Sequence, residues 1–111
     1  MSSINPAVQA VLAEYRGLLV KHFGERIVEV SLFGSYARDD ARQDSDVDVL
    51  VVLDRIACHA ERMLPTEIAG DLTVKYGLLI APIVLSAGEL ELLHQREDLL
   101  ATNLDREGIA I

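Results

Sequence analysis

At 111 residues, half of them hydrophobic and a quarter charged, the chain has the composition of one folded globular domain, 1–111, and is too short for two. Its 18 acidic side chains against 10 basic ones give a formal charge of −8, which repels polyphosphate backbones, so no nucleic-acid footprint is expected. A small nucleotide arriving with its own magnesium is not excluded. The longest nearly uncharged run, GLLIAPIVLSAG, falls short of the roughly 18–20 residues that span a bilayer, so no membrane association is expected.

The N-terminal MSSINPAVQAV has no basic region leading into an apolar one, so no signal peptide is expected. Asn5 can cap a helix that starts at Pro6, and Gly24 suits its end. Between them Val8, Val11, Leu12, Tyr15, Leu18, Leu19 and Phe23 recur at helical spacing. RIVEVSLFG then switches to period two and closes at Gly34, a strand signal. Ser35 to Ser45 reads as a polar loop, and DVDVLVVL as a second strand, buried over Leu50 to Leu53 where no polar face remains.

From about His59 to Tyr76 a helix is expected, with Met63, Leu64, Ile68, Leu72 and Tyr76 on its half-buried face and a break or a new first turn at Pro65. LLIAPIVL is a third strand, in which Pro82 points to an edge or a bulge. Ser86 followed by Glu89 is a capping box that opens a last helix, or a broken pair, running through Leu104 to Gly108. The pattern is α-β-β-α-β-α, an α/β fold with a small mixed sheet flanked by helices. The lone cysteine, Cys58, excludes an internal disulfide and fits a reducing, cytoplasmic setting, and His22, His59 and His94 lack metal-ligand spacing.

The chemistry lies in GSYARDDARQDSDVDVL. Aspartate is depleted from strands, yet Asp46 and Asp48 alternate with valines at the start of one. Residues two apart on a strand share a face, about 6–7 Å apart, so two carboxylates there repel unless a cation lies between them. Magnesium takes such oxygens together with substrate phosphates. Gly34 and Ser35 close the preceding strand where free N–H groups can cradle phosphate. Arg38 either contacts phosphate or pairs with Asp39, Asp40 or Asp44. Neither a P-loop nor a G-x-G-x-x-G is present.

Gly-Ser closing a strand, followed after ten intervening residues by Asp-x-Asp opening the next, resembles the nucleotidyltransferases of the DNA polymerase β superfamily, and among them the minimal nucleotidyltransferases. The resemblance covers nearly the whole chain and is sharpest over 32–53. It implies the polymerase-β-like fold, with Gly34 and Ser35 on the terminal phosphates of an NTP and Asp46 and Asp48 as catalytic ligands of Mg2+. It also implies a third carboxylate on the next strand, at or near Ala81, where this chain has no acid between Leu78 and Gly88. Minimal members pair with HEPN-type toxins as antitoxins, some transferring AMP to the partner. The expected function is therefore Mg2+-dependent transfer of AMP from ATP to a hydroxyl of a HEPN-type protein. The alternatives are a nucleotide- and partner-binding module with little turnover, and a small-molecule nucleotidyltransferase. The apolar tail GIAI fits either a homodimer contact or packing against the chain's own core.

Overall fold

The computed structural model describes residues 6–33, 46–95 and 109–110, in the order α1 (Pro6–Phe23), a single 3-10 turn (Gly24–Arg26), β1 (Ile27–Phe33), β2 (Val47–Leu53), α2 (His59–Tyr76), β3 (Ile80–Ser86), α3 (Ala87–Gln95) and β4 (Ile109–Ala110). The strands form one mixed sheet in the order β3-β2-β1-β4. β1 is antiparallel to β2 and to the two-residue β4, while β2 and β3 run parallel. A parallel pair needs a long crossover, and α2 supplies it. The expected mixed α/β architecture is borne out, with β4 as an addition: the GIAI tail was not read as a strand, and its backbone pairs with Ser31 and Leu32 of β1.

α1 starts at Pro6 and buries Val8, Val11, Leu12, Tyr15, Leu19 and Phe23, the expected stripe. These meet Val30 and Leu32 of β1, Val47, Val49, Val51 and Leu53 of β2, and Ile68, Ala69 and Leu72 of α2 in one core. The opposite face of β2 carries Leu50 and Val52, packed with Phe33, Ile83, Leu85 and Leu90 of α3. α1 and α2 therefore cover one face of the sheet and α3 lies on the other. β2 is buried on both, as its unbroken apolar run implied. No described helix is long and apolar enough to cross a membrane.

Two local expectations are corrected. Pro65 does not break α2, which runs through it. Proline withdraws one N–H from the helix ladder, but here its ring is fully buried and its carbonyl accepts a 2.9 Å bond from the buried Tyr15 hydroxyl of α1. The buried face of α2 is accordingly Pro65, Ile68, Ala69 and Leu72, leaving Met63 and Tyr76 exposed. β1 also departs from strict alternation: its register shifts between Ile27 and Glu29, and Val30, Ser31 and Leu32 are all buried.

The end of α2 is tied to the start of β3 at Thr73. Its hydroxyl donates to the Ala69 carbonyl at 2.9 Å and accepts from the Ile80 N–H at 3.2 Å. Gly77 stops the helix in the left-handed region, φ 72°, with its N–H on the Thr73 carbonyl. Pro82 sits on β3, an edge strand as expected.

Candidate active site

β2 is buried at Val47 and from Val49 to Leu53, and Asp48 is its one half-buried interruption. By the two-residue period of a strand, Asp48 shares the face of Leu50 and Val52, away from α1 and α2. The exposed Asp46 immediately precedes the strand, which begins one residue later than the sequence suggested. The entry of β2 is held by the Val47 N–H, which donates to the Leu79 carbonyl at 2.8 Å just ahead of β3. Both aspartates are thus brought to one end of the central strand.

Sheet register fixes their neighbours. Phe33 pairs with Asp48 across β1 and β2, and Asp48 pairs with Ala81 across β2 and β3. Register partners share a face, so Phe33, Asp48 and Ala81 form one row across three strands, about 4.8 Å apart. The next row inward is Ser31, Leu50 and Ile83, of which Ser31 is a buried polar residue. Ala81, where the resemblance implies a third carboxylate, is the register partner of Asp48, and its side chain is a methyl group. Phe33, the residue before Gly34 in the sequence, was not singled out from the sequence. Its place beside Asp48 follows from antiparallel pairing across a thirteen-residue connection whose length alone sets no register.

Gly34, Ser35 and Arg38 lie outside the described residues. The nearest acids in sequence do not join the row. Glu67 and Asp71 are exposed on α2, the helix on the other face of the sheet. Glu89 is engaged in the capping box, accepting the Ser86 N–H at 2.9 Å while its own N–H donates to the Ser86 hydroxyl at 3.1 Å. It also pairs with Arg62 at 2.9 Å, and both contacts hold its carboxyl below the usual range, the Ser86 N–H foremost. Among the described residues no group of three or more His, Cys, Asp or Glu is placed to hold a metal.

A second polar cluster lies at the far end of β2. Arg26 makes a two-pronged contact with Glu61, donates to the Arg55 carbonyl at 2.7 Å and faces Asp54 at 3.5 Å. Glu61 also accepts the Ala57 N–H at 2.7 Å. The Arg26 guanidinium and then this N–H hold the Glu61 carboxyl at about 2. Its partners are all structural, pinning β1, the exit of β2 and the first turn of α2 together.

The end of β2 can therefore offer two carboxylates, a donor set of hard oxygens suited to a divalent ion that shares its shell with phosphate. A model of the nucleotidyltransferase domain family matches residues 12–101. Over 74 residues the chain is 34% identical to a protein of Methanocaldococcus jannaschii provisionally named protein adenylyltransferase MJ0141, covering 67% of this chain and 75% of that one. A solved structure provisionally described as a minimal nucleotidyltransferase is 25% identical, with a TM-score of 0.64 over 94% of this chain and 92% of its own. The MNT antitoxin complex with a tri-AMPylated Shewanella oneidensis HEPN toxin is also similar, with a TM-score of 0.52, 90% of this chain and 70% of that one covered, and 16% identity, a likeness of fold alone. A family match running through β1, β2, α2 and β3, on a sheet that carries Asp-x-Asp at the mouth of its central strand, places this chain in the nucleotidyltransferase domain family.

Proposed function

We propose that this chain acts, as one domain over 1–111, as a Mg2+-dependent adenylyltransferase moving AMP from ATP to a protein hydroxyl. The acceptor we favour is a HEPN-type toxin for which this chain is the antitoxin, in a reducing, cytoplasmic setting consistent with the exposed thiol of Cys58. The observation that carries the reading is Asp48, a half-buried carboxylate opening an otherwise buried strand, with Asp46 beside it. Two carboxylates at the mouth of one strand are a donor set of hard oxygens that a divalent ion can share with phosphate. The HEPN acceptor is supported by the fold shared with an antitoxin found in complex with a tri-AMPylated HEPN toxin.

In this reading Asp46 and Asp48 hold the ion against the triphosphate, Gly34 and Ser35 cradle its terminal phosphates, and Arg38 offsets phosphate charge. The bound ion supplies polarisation of the α-phosphorus and charge neutralisation on departing pyrophosphate. Phe33 gives the site an apolar flank on the β1 side. A bond forms from the acceptor oxygen to the α-phosphorus, the bond to pyrophosphate breaks, and the acceptor proton leaves to a base. No described acid stands in the Asp48 row to take that proton. That absence favours a second reading, a nucleotide-loaded module that restrains its partner by docking, with slow turnover.

Calorimetry with ATP tests the metal site. Binding should require Mg2+ and disappear in the Asp46→Asn, Asp48→Asn double variant, and equal affinity in EDTA would overturn the site. Labelled ATP with the candidate partner separates the two readings: label on the partner supports transfer, while tight docking without label supports the module.

A further inference from the structure

The peptide unit joining Leu79 to Ile80, where β3 begins, is gripped from both sides. Its carbonyl accepts the Val47 N–H at 2.8 Å, and its N–H donates to the Thr73 hydroxyl at 3.2 Å. A trans peptide is planar, with its C=O and N–H pointing opposite ways, so turning the plane weakens both bonds together. β3 is the edge of the described sheet, and the outward N–H of Ile80 meets Thr73 of α2 there. Thr73 is itself fixed. A helical threonine commonly returns its proton to the carbonyl four residues back, as Thr73 does to Ala69 at 2.9 Å. A hydroxyl has one proton and two lone pairs, so that bond leaves an acceptor for Ile80. The Ala69 bond alone is an ordinary helix contact; the Ile80 bond ties α2 to the sheet.

On the other side of that plane, the Val47 N–H belongs to the peptide unit that joins Asp46 to β2. Asp46 precedes the strand and is exposed, whereas Asp48 lies within it, in register with both neighbouring strands. Two peptide planes in series thus connect the Thr73 hydroxyl with the backbone of Asp46. We infer that Thr73 is a positioning residue for Asp46: by holding the Leu79–Ile80 plane it sets the direction from which the Asp46 carboxylate enters the site. α2 covers the face of the sheet opposite Asp48, so the Thr73 side chain acts on the site through the backbone. This rests on the proposed assignment of Asp46 and Asp48 to a Mg2+–ATP site.

Thr73→Val keeps the side-chain shape and removes the hydroxyl, while Thr73→Ser keeps the hydroxyl. Amide hydrogen exchange by NMR reads the nucleotide-free protein, and calorimetry reads Mg2+–ATP binding. In Thr73→Val the Ile80 and Val47 amides should exchange roughly two- to tenfold faster, the weight of one ordinary hydrogen bond. That acceleration should exceed any change shared with Val51 and Val52 deep in β2. Affinity for Mg2+–ATP should fall by a similar factor, and Thr73→Ser should restore both readings.

Faster exchange at Ile80 with none at Val47 would overturn the inference, because the peptide plane would then not carry the constraint. Unchanged affinity alongside faster Val47 exchange would overturn it too, leaving Thr73 a purely structural residue, as would a serine variant that restores neither reading. A wild type that binds no Mg2+–ATP, in which Thr73→Val still loosens Val47, would instead overturn the assignment of the aspartates. Should Thr73→Val fail to fold, exchange of the wild type in low urea decides: the Ile80 and Val47 amides should open with one common urea dependence, and separate dependences would overturn the coupling.

Discussion

Replacing Glu89 by alanine probes how α3 is held over the face that carries Asp48. Glu89 is the N3 residue of the capping box and accepts the Ser86 N–H at 2.9 Å. The same oxygen takes Arg62 of α2 at 2.9 Å, and Arg62 also donates to the Val84 carbonyl at 3.4 Å. Arg62 thereby reaches around the edge strand β3, joining a helix on one face of the sheet to a helix on the other. Losing the cap bond costs about 0.5–1 kcal/mol. Both side chains of the ion pair are 39% exposed, so the pair adds only a few tenths of a kcal/mol after solvent screening. Alanine's better helix propensity returns a few tenths.

The net expectation for Glu89→Ala is about 1 kcal/mol, a drop of roughly 0.5–1 M in the urea midpoint at unchanged slope. Glu89→Gln keeps an acceptor for the Ser86 N–H and should lose about half as much. A double-mutant cycle with Arg62→Ala should give a coupling of a few tenths of a kcal/mol that weakens in salt. The depressed carboxyl fixes the sign with pH. Its contribution is complete above the unfolded-state value and is lost as pH falls through the folded one, so the gap between wild type and Glu89→Ala should narrow in acid. A Glu89→Ala midpoint indistinguishable from wild type, or a glutamine variant as unstable as the alanine one, would refute the capping argument.

Two further outcomes follow from buried or tightly held groups. Tyr15→Phe removes the hydroxyl that bonds the Pro65 carbonyl and should cost about 1 kcal/mol by urea unfolding; no measurable loss would show that this bond does not help α2 carry its proline. Glu61→Gln should destabilise the protein at neutral pH, and the difference should fade as pH falls from about 4.5 towards about 2, because the wild-type carboxylate loses its advantage as it protonates. A difference unchanged between pH 7 and pH 2, followed by chemical denaturation, would show that the Arg26 contact is not what lowers its pKa.

Local features legible in the sequence are those whose physics is local. The α1 stripe, the Ser86–Glu89 box, the bounds of α2 and the edge position implied by Pro82 each follow from helical or strand periodicity, capping chemistry or a missing N–H, and each appears in the structure. The two aspartates were conspicuous because charge interrupts a strand that is otherwise uniformly apolar. Contacts between distant segments decided the rest. Pro65 stays within the helix with its ring buried and its carbonyl bonded by Tyr15 of α1, a partner fifty residues away that no local window contains. β4 exists only by pairing with β1, since two residues cannot form a strand alone. The neighbours of Asp48 are set by a register that depends on side chains interlocking on both faces of β2 and on the reach of the α2 crossover. Aspartate at the strand mouth could be read from the chain itself; that Phe33 and Ala81 flank it was settled only when three strands came into line.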